Sequence, residues 1–280
     1  MKYFKQLWMA FINKEKLLII IGIFILLNIS LFVVYQQSIY SQAGYSDAYP
    51  NAGLEFFYYI HSIGQNPYHF ICLMLLLPNL ISTDFLTIHL SHTHYPIETR
   101  TSKISYYFDS FIKNIVLTFV VVLMIEILIV LIVHLFYLPI HFNSMEYPQY
   151  YHAITQLVFH NEIYNLIAFL LMTAMGYSLV SALIFSFQCM ISNPFVYRCS
   201  GVLIGILLVL LPAFIQYYLP INDIAFLLQI NNLVCLGIEG VRDNPLNLSY
   251  MAVYIIAFLI YGIGTWGGYV AMIKCRKQND

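Results

Sequence analysis

The chain has 280 residues, of which 61% are apolar, 17% aromatic and only 9% charged, too little polar surface to wrap a water-soluble domain. Twelve Lys and Arg against thirteen Asp and Glu leave a net charge of −1, which indicates neither a nucleic-acid binder nor a polybasic lipid sensor. Five cysteines are scattered without a Cys-x-x-Cys pair, so neither a disulfide framework nor a zinc knuckle is implied.

Residues 1–14 place Phe4, Leu7, Trp8, Phe11 and Ile12 on one helical face and Lys2, Lys5 and Gln6 on another, the pattern of an interfacial amphipathic helix. A cleaved signal peptide is the rival reading, with Ser41-Gln42-Ala43 as its small-residue site. Spanning about 30 Å of hydrocarbon takes about 20 apolar residues of helix. Runs of that kind predict spans over 17–35, 113–137, 163–191, 199–218 and 250–274. A sixth, over 68–90, is short and contains Pro78, and it requires Asp84 to snorkel or pair. The expectation is one all-α integral membrane domain over 1–280 with six transmembrane helices.

The basic residues support that count, because Lys and Arg beside short loops are retained on the cytoplasmic side. With both termini inside, Lys2, Lys5, Lys14 and Lys16, then Arg100, Lys103 and Lys113, then Arg198, then Lys274, Arg276 and Lys277 all face the cytoplasm, and Arg242 alone faces out. The expected location is the cell membrane, with the lipid bilayer as the surrounding partner. The outer loops 36–66 and 138–162 are Tyr-rich, lack basic residues and read as surface segments with aromatics at headgroup level. The third, 219–250, is too apolar for an aqueous loop and too broken for two more spans. It reads as short helices dipping back into the membrane, which requires that they pack on protein.

Sequence motifs for enzyme chemistry are absent: there is no phosphate-binding G-x-x-x-x-G-K-[ST] loop, no H-E-x-x-H and no G-x-S-x-G. Glu126 lies near the middle of the third span, where a charge costs about 2.5–3.5 kcal/mol on insertion scales. It is either a proton-coupling or cation-contacting carboxylate, or a neutral acid bonded to a neighbouring helix with Asn28 or Gln188 as partner. Thr173, Tyr177 and Ser181 recur at i, i+4 and i+8 and form one polar stripe, either lining a pathway or joining helices. Gly201-x-x-x-Gly205 and Gly264-x-x-x-Gly268 permit close backbone approach. His89, His92 and His94 crowd the second inner loop, but on a helix His94 points away from the other two, so solvated histidines are expected there rather than a metal site.

That inner loop reads DFLTIHLSHTHYPIETRTSKISYYFDSFIK from Asp84 to Lys113: a break at Pro96, Thr101 or Ser102 as N-cap, then a helix running unbroken into the third span. It resembles the inner loop of type-2 ABC transporter permeases, where a coupling helix and small-hydroxyl and basic residues precede a lysine opening the third span. Thr101-Ser102-Lys103 and Lys113 fill those positions, although Pro96 lies earlier than the family's proline and Thr99-Arg100 replaces its acidic, glycine-containing stretch. The six spans, inside termini and the re-entrant segment between spans five and six extend the likeness over the whole chain. The resemblance implies a permease subunit of an exporter, itself not an enzyme. A second permease chain, like or unlike, would pack beside it, and a separate cytosolic ABC ATPase subunit would carry ATP and Mg. No cofactor or metal is expected on this chain. The resemblance points to Arg100, Lys103, Tyr106 and Tyr107 as the docking surface and to an amphipathic peptide, antimicrobial or lipid-like cargo. The competing classes are a stand-alone proton-coupled transporter working through Glu126, with Thr173, Tyr177 and Ser181 along its pathway, and a non-transporting scaffold or sensor subunit.

Overall fold

The computed structural model describes residues 14–42, 44, 49, 51–80, 82–91, 103–142, 159, 161–191, 193–219, 221–237, 246 and 248–279. Among them there is no strand, and six helices are long and apolar enough to cross a membrane. The protein is an all-α multi-pass membrane protein. The interfacial helix, Arg100, the Thr101/Ser102 cap, His92, His94 and Arg242 lie outside the described residues.

The elements in chain order are α1 (Lys14–Gln37), α2 (Ala52–Tyr59), α3 (Pro67–Leu76), α4 (Ser82–Leu90), α5 (Lys103–Ile132), α6 (Glu162–Ser186), α7 (Pro194–Tyr218), α8 (Asn222–Leu227), α9 (Asn231–Val234) and α10 (Tyr250–Asn279). Local chemistry sets several of their ends. Asn161 caps α6 by accepting from the N–H groups of Ile163 and Tyr164, and Asn193 caps α7 likewise with Pro194 at its first position. The α5 helix loosens into a π-helical turn, Val133–Tyr137, and stops where Leu138 turns extended before Pro139.

Span 4 (α6) and span 2 (α3–α4) are the most buried, while spans 1, 5 and 6 keep most of their surface for lipid or other chains. Span 4 is central: α6 packs on both α5 and α10, while α3 joins α1 to α7. One end of the bundle, here termed the basic end, gathers Lys16, Asp84, Asn114, Gln188 and Arg198. There Lys16 forms an ion pair with Asp84, so the acidic residue in the second span is paired. Ser82 donates to Asn114 (3.0 Å), Asn114 to Ser181 (2.9 Å) and Thr118 to Ser181 (3.0 Å), a buried polar chain across spans 2, 3 and 4. Asn79 donates to the Arg198 carbonyl (3.2 Å), and Gln188 to the Ser82 carbonyl (2.7 Å).

The opposite end corrects the surface reading of residues 36–66. Every residue from Ala52 to Tyr58 is buried, and α2 passes so close to the end of span 3 that Gly53 meets the Pro139 and Leu138 carbonyls. From there Phe57 and Tyr58 descend against Phe169 on α6, with ring centroids 5.9 and 5.1 Å from it. The second span, Pro67–Ile88, is therefore preceded by a buried short helix, α2, and joined to it through turns at 60–66. A search for 20-residue apolar runs overlooks α2 because it is eight residues long.

The expected re-entrant segment is present as α8 and α9. The Leu233 carbonyl rests on Gly176, fourteen residues or about 21 Å of helix past Glu162. Tyr261 and Tyr254 hold the surrounding chain by donating to the Leu228 and Met172 carbonyls at 2.7 and 3.1 Å. Backbone that deep is tolerated because it lies on protein: Ile230, Leu233, Val234 and Cys235 are all buried.

Candidate functional site

The turns between α2 and the second span build the site. After α2 the backbone folds through turns in which His61 donates to Tyr58 and Ser62 to Tyr59, and the Asn66 N–H closes on the Ser62 carbonyl at 2.7 Å. Pro67 has no N–H to donate and suits the first position of α3, while the Asn66 side chain caps that helix by accepting from the His69 N–H at 3.3 Å. His69 thus sits in the first turn of α3, facing back toward His61, and their rings lie 4.6 Å apart. Glu126 approaches from α5. Eleven residues, about 16 Å of helix, separate it from Tyr137, and thirteen, about 20 Å, from Lys113, so it lies near the middle of the apolar run.

His61 Nε2 lies 2.8 Å from Glu126 Oε2, and His69 Nε2 lies 3.4 Å from Oε1, too poorly aligned for a hydrogen bond. All three side chains are enclosed, with relative exposures of 4%, 1% and 0% for His61, His69 and Glu126. Phe57 and Phe169 wall the pair, with centroids 4.7 and 5.1 Å from the His61 ring. Proton accounting narrows the chemistry. The Phe57 carbonyl, 2.8 Å from His61 Nδ1, can only accept, so Nδ1 carries a proton. In a neutral imidazole Nε2 then presents a lone pair to a carboxylate oxygen at hydrogen-bond distance. Two acceptors at that spacing repel, so the pair holds a further proton or a metal ion. A two-imidazole, one-carboxylate set has the chemistry for either. Tyr177 on α6 is buried as well, at 3% exposure.

No family model matches the chain, nor does any curated protein or solved structure.

The residues singled out from sequence are dispersed. Glu126 is partnered by neither Asn28 nor Gln188: Asn28 donates to the Phe24 carbonyl of its own helix, and Gln188 to Ser82 and Tyr197 at the basic end. The α6 stripe divides, with Ser181 binding helices together, Tyr177 near Glu126, and Thr173 Oγ1 buried without a hydrogen bond among the described residues. Gly201 and Gly205 receive Met74 and Pro78 of the second span and so serve packing inside the chain. Gly268 meets Ser186, while nothing lies within 4 Å of the Cβ position at Gly264.

At the basic end Lys103 opens α5. Tyr106 is half-buried and stacks on Phe85 (5.4 Å). Tyr107 is only 1% exposed, lying among Phe85, Phe111, Phe185 and Tyr269, and is therefore not presented to a partner. Its aromatic ring is better used against α4 and α6 than in water.

His61 and His69 went unmarked in the sequence. Their signal was HSIGQNPYH, two histidines around a Gly and an Asn-Pro inside an aromatic stretch free of basic residues. Spacing could not join them to a glutamate 65 residues beyond His61.

Proposed function

We propose that this chain is the membrane-spanning permease subunit of an ABC exporter, with a second permease chain beside it and a separate ATP- and Mg-binding ATPase on its basic end. The observation that carries this reading is the re-entrant pair α8–α9 between spans five and six, packed on α6 and α10. This is the layout the inner-loop resemblance implies. Supporting it, α5 runs as one helix from Lys103 past Glu126, about 35 Å, so a push on the loop moves the middle of the bundle. The basic end faces the cytoplasm by the positive-inside rule, which places both termini inside the cell membrane. The favoured cargo is an amphipathic peptide, antimicrobial or lipid-like molecule. Tagging the chain after Asp280, solubilising native membranes gently and identifying co-purifying proteins by mass spectrometry tests the proposal. A stoichiometric partner with a phosphate-binding loop is expected, and isolation of the chain alone overturns it.

One observation favours a second reading. The enclosed His61–Glu126–His69 group is the arrangement of a proton-coupled transporter that needs no ATPase. Under that reading Glu126→Gln abolishes transport while any complex remains intact; retained transport removes the carboxylate from the mechanism.

A further inference from the structure

We propose that His61, His69 and Glu126 form a binding site for a divalent transition-metal ion of the zinc class, set where the turns after α2 enter the second span. The inference rests on neither functional reading above, since it concerns binding to this chain alone.

The donor set comes first. Two imidazole nitrogens and a carboxylate oxygen are ligands that zinc and its neighbours take together, and three protein ligands leave a fourth position for water or a substrate group. Their donor atoms all lie within 4.8 Å of one another. In a tetrahedral site with bonds of about 2.0–2.1 Å, neighbouring donors stand about 3.3 Å apart. The His69 Nε2 to Glu126 Oε1 separation of 3.4 Å matches that edge, while the 2.8 Å between His61 and Glu126 needs a small opening.

The surroundings agree with the donors. The Phe57 carbonyl fixes His61 with its proton on Nδ1, turning the Nε2 lone pair into the cluster, as the outer shell of a metal-bound histidine does. Three atoms of the cluster are buried without a hydrogen bond: both ring nitrogens of His69 and Glu126 Oε1. Orphaned polar atoms of that kind are costly in a dry interior, and a cation between His69 Nε2 and Oε1 satisfies two of them at once. Glu126 has charged contacts only with these two histidines, so no Lys or Arg competes for the carboxylate among the described residues. Any proton held between His61 and Glu126 leaves to solvent as the ion binds, which balances the exchange. The turn between the two histidines reaches the surface of the chain at Gly64 and Gln65.

The test uses the full chain in lipid nanodiscs, stripped with a chelator and titrated separately with Zn2+ and Co2+. Retained metal is counted by elemental mass spectrometry after gel filtration, and Co2+ is read by its visible ligand-field absorption. The wild type is expected to retain stoichiometric metal with a tetrahedral cobalt spectrum. His61→Gln, His69→Gln and Glu126→Gln each lose it, and Thr173→Val retains it. A folded wild type that retains no metal overturns the proposal, as does unchanged binding in the three ligand variants. Should His69→Gln fail to fold, His69→Cys keeps a metal donor and is expected to add a thiolate-to-cobalt charge-transfer band. Absence of that band from folded, Co2+-titrated protein counts equally against the site.

Discussion

Glu126 and His61 hold each other where water cannot substitute for either, so removing one partner should be far more damaging than changing its protonation. Breaking a buried pair on one side costs about 3–5 kcal/mol, because the survivor keeps its charge without its partner. His61→Ala should therefore lower the unfolding free energy in detergent by about that amount, and Glu126→Gln, which keeps shape and hydrogen-bonding capacity, by much less. A double-mutant cycle on His61→Ala and Glu126→Ala checks the origin of the effect. Coupling near zero would show that the two side chains do not act as a pair. The sequence exposed only half of this group. An intramembrane carboxylate announces itself by its cost, whereas His61 and His69 belong to a stretch that looked like ordinary surface, and their meeting with Glu126 depends on tertiary packing.

Helices meet in this protein where side chains are smallest or where hydroxyls and amides pair. Gly176 is the tightest case, since a Cβ there lies 2.1 Å from the Leu233 carbonyl oxygen, and that atom is backbone. Gly176→Ala should displace α9 and lower the melting temperature, whereas Gly264→Ala, which meets nothing within 4 Å, should be neutral or stabilise α10 by up to about 1 kcal/mol. Equal melting temperatures for the two variants would mean that the re-entrant segment does not rest on span 4. Ser181→Ala leaves the Asn114 amide and the Thr118 hydroxyl without their acceptor, a loss of about 0.6–1.7 kcal/mol on the scale of membrane hydrogen bonds, read by thermal unfolding against wild type. Spans 1, 3, 4, 5 and 6 were legible as long apolar runs, and the dip of 219–250 as a run too apolar for water and too interrupted to cross. The second span was legible as a shorter run over 68–90 that the basic residues supported, and the structure carries it over Pro67–Ile88. The buried helix α2 before it was not, because eight residues fall short of a bilayer and only packing against α6 and the end of span 3 reveals where they go.

For the whole molecule, orientation and partnership are the testable properties. Cys199 is exposed beside Arg198 at the basic end. In a variant retaining Cys199 alone, a membrane-impermeant maleimide should label inside-out vesicles and leave intact cells unlabelled; the reverse pattern would invert the topology. If the chain is the exporter subunit proposed above, Lys103→Glu places a negative charge where α5 begins and should reduce co-purification of the proposed ATPase without changing the yield of this chain. Unaltered complex formation would remove Lys103 from the proposed docking surface.

The short buried helix before the second span also constrains how the protein is made. Unlike Pro67–Ile88 that follows it, α2, with eight residues, is too short to enter a bilayer as an independent span. On a ribosome-bound chain this stretch has no stable place until α5 brings Glu126 and α6 brings Phe169 alongside it. Chains truncated shortly after Tyr137 should therefore leave the stretch accessible to quality-control proteases, and those extended beyond Ser186 should be the first to protect it. Assembly of the three polar side chains would then mark the moment at which the nascent bundle closes.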